Sequence, residues 1–319
     1  MIPFLLPLFA VLAAQAAAAA SFTIAVSRSP LSLPIYVAQK EGFFAQEGLG
    51  IRLEPCVGGH RCVRHVIEGR AHLATVADVP IALNAFDSDN WSVLATFVSS
   101  HDDLKLVVRS TGGVPSVAQL AHRRVGVVPA SASQYFLESF LLTHRIDPAS
   151  VQAVPLQPEG LVAALAEGRV DAIAAWEPFA HAALRALKGS ATVLPSNLAY
   201  RETFNLVVER RLVRTADADL ARLLRALERA IDLIHDEPAR AQAVLRGALD
   251  VDASFVDWIW PQLQFGLSLD PGLLKTLESE ARWALREGHV AGKPPPIYLR
   301  YLHPAPLMSV KPDLAGIAR

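Results

Sequence analysis

One local phrase occurs twice in this chain, and it limits the possible folds more than any other feature. "VRHVIEGRAHLATVA" (63–77) reads as a helix, a glycine stop at Gly69 and a short apolar strand from Leu73 to Ala77. "LVAALAEGRVDAIAAWEP" (161–178) repeats the helix, a stop at Gly168 and a strand from Ala172 to Ala175, closing on an acidic residue and a proline. Two such units about a hundred residues apart predict two α/β domains of similar construction. The 319 residues suffice for both.

The rest of the chain fits around them. "FTIAV" (22–26) reads as the first strand. In "LPIYVAQKEGFFAQEGLGIRLEP" (33–55), Pro34 suits a first helical turn, Gly42 ends the helix, and Ile51 to Glu54 alternates apolar with polar as a half-buried strand does. Phe43 and Phe44 read as an aromatic plug in the core, without a ligand role. "WSVLATFVSSHDDLKLVVRS" (91–110) and "TFNLVVERRLV" (203–213) are extended runs that read as crossovers between the two units, hinging at about 98–106 and 200–208. "RRVGVVPASASQYFLESFLLTHRI" opens the second unit as strand, small-residue loop and helix. Helices are expected from Asp217 and again from Pro238, two more across 258–288, and then a proline-punctuated tail that wraps the first unit. The predicted division is residues 1–20 as a signal, 21–102 with 206–319 as the first lobe, and 103–205 as the second.

The signal rests on "FLLPLFAVLAA" (4–14), too short an apolar run to span a bilayer, followed by "QAAAAAS" with its Ala-x-Ala matches. No Lys or Arg precedes the run, so only the terminal amine supplies positive charge there. Export to the periplasm is expected, without a lipid anchor or membrane insertion of the mature chain. An oxidising compartment favours pairing Cys56 with Cys62, the only cysteines. A metal held by these thiols and His60 or His65 is the weaker alternative, because the spacing lacks a second knuckle. With 30 basic against 31 acidic residues, no long-range field draws the chain to nucleic acid or an anionic membrane.

The runs "PIYVAQKEGFFAQEGLGIRLEP", "GGHRCVRHVIEGRAHLATVADVP", "RRVGVVPASASQYFLESFLL", "EGRVDAIAAWEPF" and "YLHPAPLMSVKPDLAGI" carry a resemblance that covers nearly the whole mature chain in order. Together they resemble the nitrate/sulfonate/taurine class of ABC-importer solute-binding proteins, the NMT1/THI5-like or SsuA/TauA group. The resemblance implies an α/β fold of periplasmic-binding-protein type II, with two Rossmann-like lobes joined by two strand crossovers and a ligand cleft between them. It also implies a monomer that delivers a small-molecule solute to ABC permease subunits, with no cofactor and no metal.

Ligands of α/β sheets sit beyond the carboxyl ends of the strands, which directs attention to four loops: 27–31, 77–79, 129–135 and 176–177. The candidate contacts are Ser29, Leu31, Asp78, Ser131, Ser133, Gln134, Tyr135, Trp176 and Glu177. Ser131 with Gln134 also matches a capping box, and a helix start offers free N–H groups to an anion. Asp78, with Pro80 in the next turn, reads as an N-cap that could also face the cleft. Trp176 either stacks on a flat ligand or packs. Two acids in the cleft, Asp78 and Glu177, would favour an amine-bearing, zwitterionic or heteroaromatic solute over nitrate unless Arg28 offsets them. His60 and His101 read as surface residues.

Enzymes of the same superfamily provide the alternative. Pyrimidine synthases carry a cysteine-rich iron motif, and this chain has only two cysteines. Desulfinase relatives use a cysteine nucleophile after the first strand, where this chain reads Ser27-Arg28-Ser29. No nucleophile elbow, zinc-protease helix or phosphate loop is present. An orphan binding protein serving a sensor needs the same cleft, and the residues do not separate it from importer delivery.

Overall fold

The computed structural model describes residues 20–110, 116–290 and 292–314, so the predicted signal lies outside the described residues. The chain begins with β1 (Ala20–Ser27), α1 (Leu33–Lys40) and the single turn α2 (Phe43–Gln46). It continues through β2 (Leu49–Cys56), α3 (Gly59–Ile67), β3 (Leu73–Ala77), α4 (Asp78–Asn84) and β4 (Trp91–Ser100). A first crossover leads to β5 (Lys105–Arg109), β6 (Arg124–Val127), α5 (Ala132–Thr143), β7 (Gln152–Pro155), α6 (Leu161–Ala166), β8 (Ala172–Ala175), α7 (Phe179–Leu187) and β9 (Ala191–Leu194). The return enters β10 (Glu202–Glu209), then α8 (Asp217–Asp236), α9 (Pro238–Leu249), α10 (Ala253–Ile259), β11 (Leu263–Ser268), α11 (Pro271–Arg286) and α12 (Ala305–Val310).

The strands form two sheets, ordered β11-β4-β10-β3-β1-β2 and β7-β6-β8-β5-β9. In the first, β1 pairs parallel with β2 and β3, while β10 runs antiparallel between β3 and β4. In the second, β6 pairs parallel with β7 and β8, and β5 runs antiparallel between β8 and β9. Each sheet thus has one returning strand inserted against its parallel core. The twice-occurring phrase builds α3-β3 in one unit and α6-β8 in the other, and Gly69 and Gly168 both adopt the positive φ that ends such a helix, 71° and 73°.

Each sheet has its own apolar core. Phe44 is buried in the first, and Phe43 packs half-buried at its edge beneath the Arg229 guanidinium, 4.4 Å from the ring centroid. Val79 and Leu83 of α4 and Trp283 of α11 join the second core, so these helices tie the two units together. The tail packs on the first unit: Tyr298 and Tyr301 donate their hydroxyls to Ala82 O at 2.9 Å and Ala85 O at 2.8 Å. The two helices expected across 258–288 are instead the end of α10, the edge strand β11 and α11. "LQFGLS" alternates apolar and polar, and the open edge of β4 supplies the ladder partners that make it a strand, Leu263 opposite Ser100 and Phe265 opposite Val98. The second crossover occupies residues 195–201, since β10 is already paired in the first sheet from Glu202.

Candidate functional site

A narrow cleft of ≈ 300 Å³, open mouth included, lies between the two units. Each of the four loops singled out from the sequence contributes to it: Ser27 ends β1, Ala77 ends β3, Ser131 and Ala132 begin α5, and Trp176 follows β8. Three further groups complete the wall. Gly58, Gly59 and His60 form the start of α3, Pro80 lies in the first turn of α4, and Glu202 and Phe204 lie at the beginning of β10.

The α3 start packs unusually close to the sheet. A Cβ on Gly59 would lie 2.9 Å from Ala77 N and 3.0 Å from Val76 Cα, both backbone atoms, so only glycine brings the helix so near. That approach turns His60 into the cleft, edge-on to Trp176 at 6.1 Å between centroids. The surface position expected for His60 is therefore corrected, whereas His101 is exposed. Burial, with Arg61 and Arg64 adding repulsion, lowers the His60 pKa to about 4, which leaves the ring neutral at pH 7. A disulfide joins Cys56 at the end of β2 to Cys62 in α3 and so anchors the same segment. Among the described residues no group of three or more His, Cys, Asp or Glu side chains is arranged to hold a metal ion.

The remaining sequence candidates make other contacts. Ser29 accepts from Leu31 N at 3.1 Å and caps the turn before α1, and Leu31 is buried. Ser131 caps α5 by accepting from Ser133 N at 3.2 Å and donates to Val128 O at 2.8 Å. Ser133 is buried beneath it, accepting from Val128 N at 3.1 Å and donating to Ala174 O at 2.7 Å. Gln134 does not close a capping box on Ser131; its Oε1 accepts from Ala130 N at 2.9 Å, and its amide reaches Glu138 and His289. Tyr135 meets Tyr200 and Trp283 edge-on. Asp78 is the first residue of α4, fully buried, and accepts from Thr203 N at 2.8 Å, Thr203 Oγ1 at 3.0 Å and the Tyr200 hydroxyl. Glu177 accepts from Trp258 Nε1 at 2.7 Å and pairs with Lys105 at 3.3 Å.

Asp78 and Glu177 thus have their carboxylates engaged beside the cleft, and Glu202 is the acid that lines it. No Arg or Lys among the described residues lines the cleft; Arg28 donates to Leu249 O at 3.3 Å. Glu202 is 4% exposed and also borders a small second cavity with Asp103, Tyr200, Ser100 and His101. Burial, reinforced by Asp103 and Asp78, holds the Glu202 carboxyl well above the usual range. Burial pushes Asp103 up to about 7, with Glu177 adding to the rise and Lys105 opposing it. Both Asp103 oxygens and Glu202 Oε2 are buried without a donor, and a proton on Glu202 turns the opposed acceptors into a hydrogen bond. Glu280 of α11, fully buried against Asp78 and Tyr200, is held high by the same desolvation.

Two α/β units joined by two crossovers, with a cleft at the strand ends, define the class of periplasmic binding folds. The periplasmic aliphatic sulphonate binding protein SsuA from Escherichia coli superimposes with a TM-score of 0.75 at 17% identity, covering 89% of this chain and 97% of that one. At that identity the likeness shows the fold. The desulfurization enzyme DSZB shares it, with a TM-score of 0.68 at 18% identity over 92% of this chain and 99% of that one. Residues 29–241 match the family model described as NMT1/THI5 like, and the chain belongs to that family. It is also 28% identical over 176 residues to the taurine-binding periplasmic protein of Escherichia coli (strain K12). That match spans 55% of this chain and about half, 54%, of the relative. Among the described residues no helix is long and apolar enough to cross a membrane.

Proposed function

We propose that this protein is the periplasmic solute-binding component of an ABC importer, that it captures a small organic sulfonate in the interlobe cleft, and that it passes the solute unaltered to a membrane permease. One observation carries this reading. In a chain of this family, the ends of strands from both units converge on one cleft together with the starts of α3 and α5, and aromatic side chains line the same space. Helix starts present unpaired N–H groups to the sulfonate oxygens, and Ser27 and Ser131 add hydroxyl-bearing residues. Trp176 and Phe204 face the organic part. Ligand that touches both units stabilises the closed arrangement over an open one, and closure follows from that difference in affinity.

The test is thermal unfolding of residues 21–319 against alkyl and aryl sulfonates, taurine, nitrate and aromatic carboxylates. A sulfonate at a hundred times its Kd adds roughly 2.7 kcal/mol and raises the Tm by several degrees. The ligand is then recovered and analysed. A response confined to non-sulfonates rejects the solute class, and a sulfonate returned chemically changed rejects the binding-protein reading in favour of an enzyme.

A further inference from the structure

Buried acids gather where the two units are joined, and a single buried cation stands among them. Asp103 comes from the first crossover, and Glu202 is the first residue of β10, where the second crossover enters the sheet. Asp78 opens α4, Glu177 follows β8, Glu280 lies in α11, and the cation is Lys105 at the start of β5. Most of these have partners: Asp78 accepts from Thr203 and Tyr200, and Glu177 from Trp258 while pairing with Lys105. Exposed Asp102 also approaches Lys105, at 3.7 Å. Asp103 and Glu202 face each other instead. They border one small cavity, and both Asp103 oxygens and Glu202 Oε2 are buried without a donor. Two opposed carboxylates in a space closed to water do not both hold a charge, so the pair retains a proton. Lys105 favours ionisation of the pair, whereas Asp78 and Glu177 oppose it. The cavity walls belong to both units and to their connection: Ser100 ends β4, Phe136 lies in α5, and Leu198 and Tyr200 lie in the second crossover. Movement of one unit against the other therefore opens this space to water.

We propose that Asp103 and Glu202 form a proton-held latch at the hinge, which joins the two connecting segments while the pair shares a proton and lets the units part as the pair ionises. The shared proton makes an O–H···O hydrogen bond between the first crossover and the start of β10. When it leaves to solvent, like charges remain in contact in a space of low dielectric, and opening relieves the repulsion by admitting water. The sign follows from burial, which raises both carboxyls, Asp103 to about 7. The closed arrangement binds more protons than the open one, so closure is favoured below these values and is lost as pH rises through them. The closed-to-open ratio falls by up to about tenfold per pH unit for each proton released. The latch acts in the ligand-free protein and does not depend on which solute the cleft takes.

Electron-spin distance measurements on ligand-free residues 21–319 test it, with labels on Glu68→Cys and Glu167→Cys, exposed positions just past α3 in one unit and α6 in the other. From pH 5.5 to pH 8.5 the labels should move apart, the ratio of short to long distances falling at least about tenfold while the circular dichroism spectrum stays unchanged. In Asp103→Asn/Glu202→Gln, two amides keep a hydrogen bond that does not titrate, and the ratio should change less than about twofold over the same range. If that variant does not fold, Glu202→Gln alone removes one titrating group and should at least halve the slope. His101→Gln alters an exposed wall of the same cavity, and Glu280→Gln neutralises another buried acid; both should keep the wild-type response. Wild-type distances that ignore pH overturn the proposal. So does an undiminished pH response in the pair variants, or its loss in His101→Gln or Glu280→Gln.

Discussion

Asp103 lies in the first crossover and Glu202 is the first residue of β10, where the second crossover enters the sheet, and their burial links stability to pH. A carboxyl whose folded pKa is raised binds more protons folded than unfolded. Its stabilising contribution is complete below the unfolded value near 4 and is lost as pH rises through the folded value, about 7 for Asp103. The wild-type Tm should therefore fall between pH 5 and pH 8. Asp103→Asn should flatten that fall, removing at most about 4 kcal/mol of pH-dependent loss, as urea unfolding at several pH values will show. The serines of the α5 start separate in the same way by environment. Ser133→Ala leaves Val128 N and Ala174 O unpartnered in the core and should cost about 2 kcal/mol of stability. Ser131→Ala removes a cap worth about 1 kcal/mol and a cleft-lining hydroxyl, so it should lower ligand affinity more than Ser133→Ala does at matched stability. A binding titration beside each unfolding curve decides it. Replacing both would mix these effects, because only Ser131 contributes to the cleft wall.

At the scale of elements, the twice-used helix-stop-strand phrase placed β3 and β8 at the residues where the structure has them, since a glycine stop and a short apolar run are local signals. Strand β11 was not legible as a strand because its pairing partner, β4, lies far away in sequence. Glu202 and Phe204 escaped for a related reason. Searching beyond the carboxyl ends of strands suits a parallel sheet, but β10 runs antiparallel, and Phe204 pairs with Ala77 at the end of β3. The amino end of β10 therefore reaches the same edge of the sheet. The signal was present in the returning run "TFNLVV": a strand that comes back from the other unit starts at the cleft. His60 follows from Gly59, whose lack of a Cβ matters only once β3 is packed against it. The disulfide restrains this helix start, so the Cys56→Ser/Cys62→Ser variant should lose about 2 kcal/mol of stability, the estimate for so short a loop, and should bind ligand more weakly. Chemical unfolding with and without reductant checks the first effect, and titration the second.

Across the whole molecule, contacts between the units set the balance between closed and open. Arg61 in α3 reaches over to Glu159 at 2.5 Å and Gln157 at 2.6 Å, and on the other side Arg185 in α7 donates to Ser254 at 3.2 Å. The Arg61–Glu159 pair is exposed, so its contribution is about 1 kcal/mol or less. Arg61→Ala should weaken ligand binding by no more than about fivefold, mainly through faster release, and the exchanged pair Arg61→Glu/Glu159→Arg should restore it. Stopped-flow dissociation measures both. Two α/β units, the strand-end loops that meet in the cleft and the cysteine pair were legible along the chain, because helix stops, apolar runs and residue composition act over a few neighbouring positions. Which side chains line the cleft depends on how the chain packs. Asp78, Ser133 and Glu177 make buried contacts elsewhere, while His60 and Glu202 line it, because side-chain direction depends on how antiparallel strands and close-packed helix starts from distant parts of the chain are brought together.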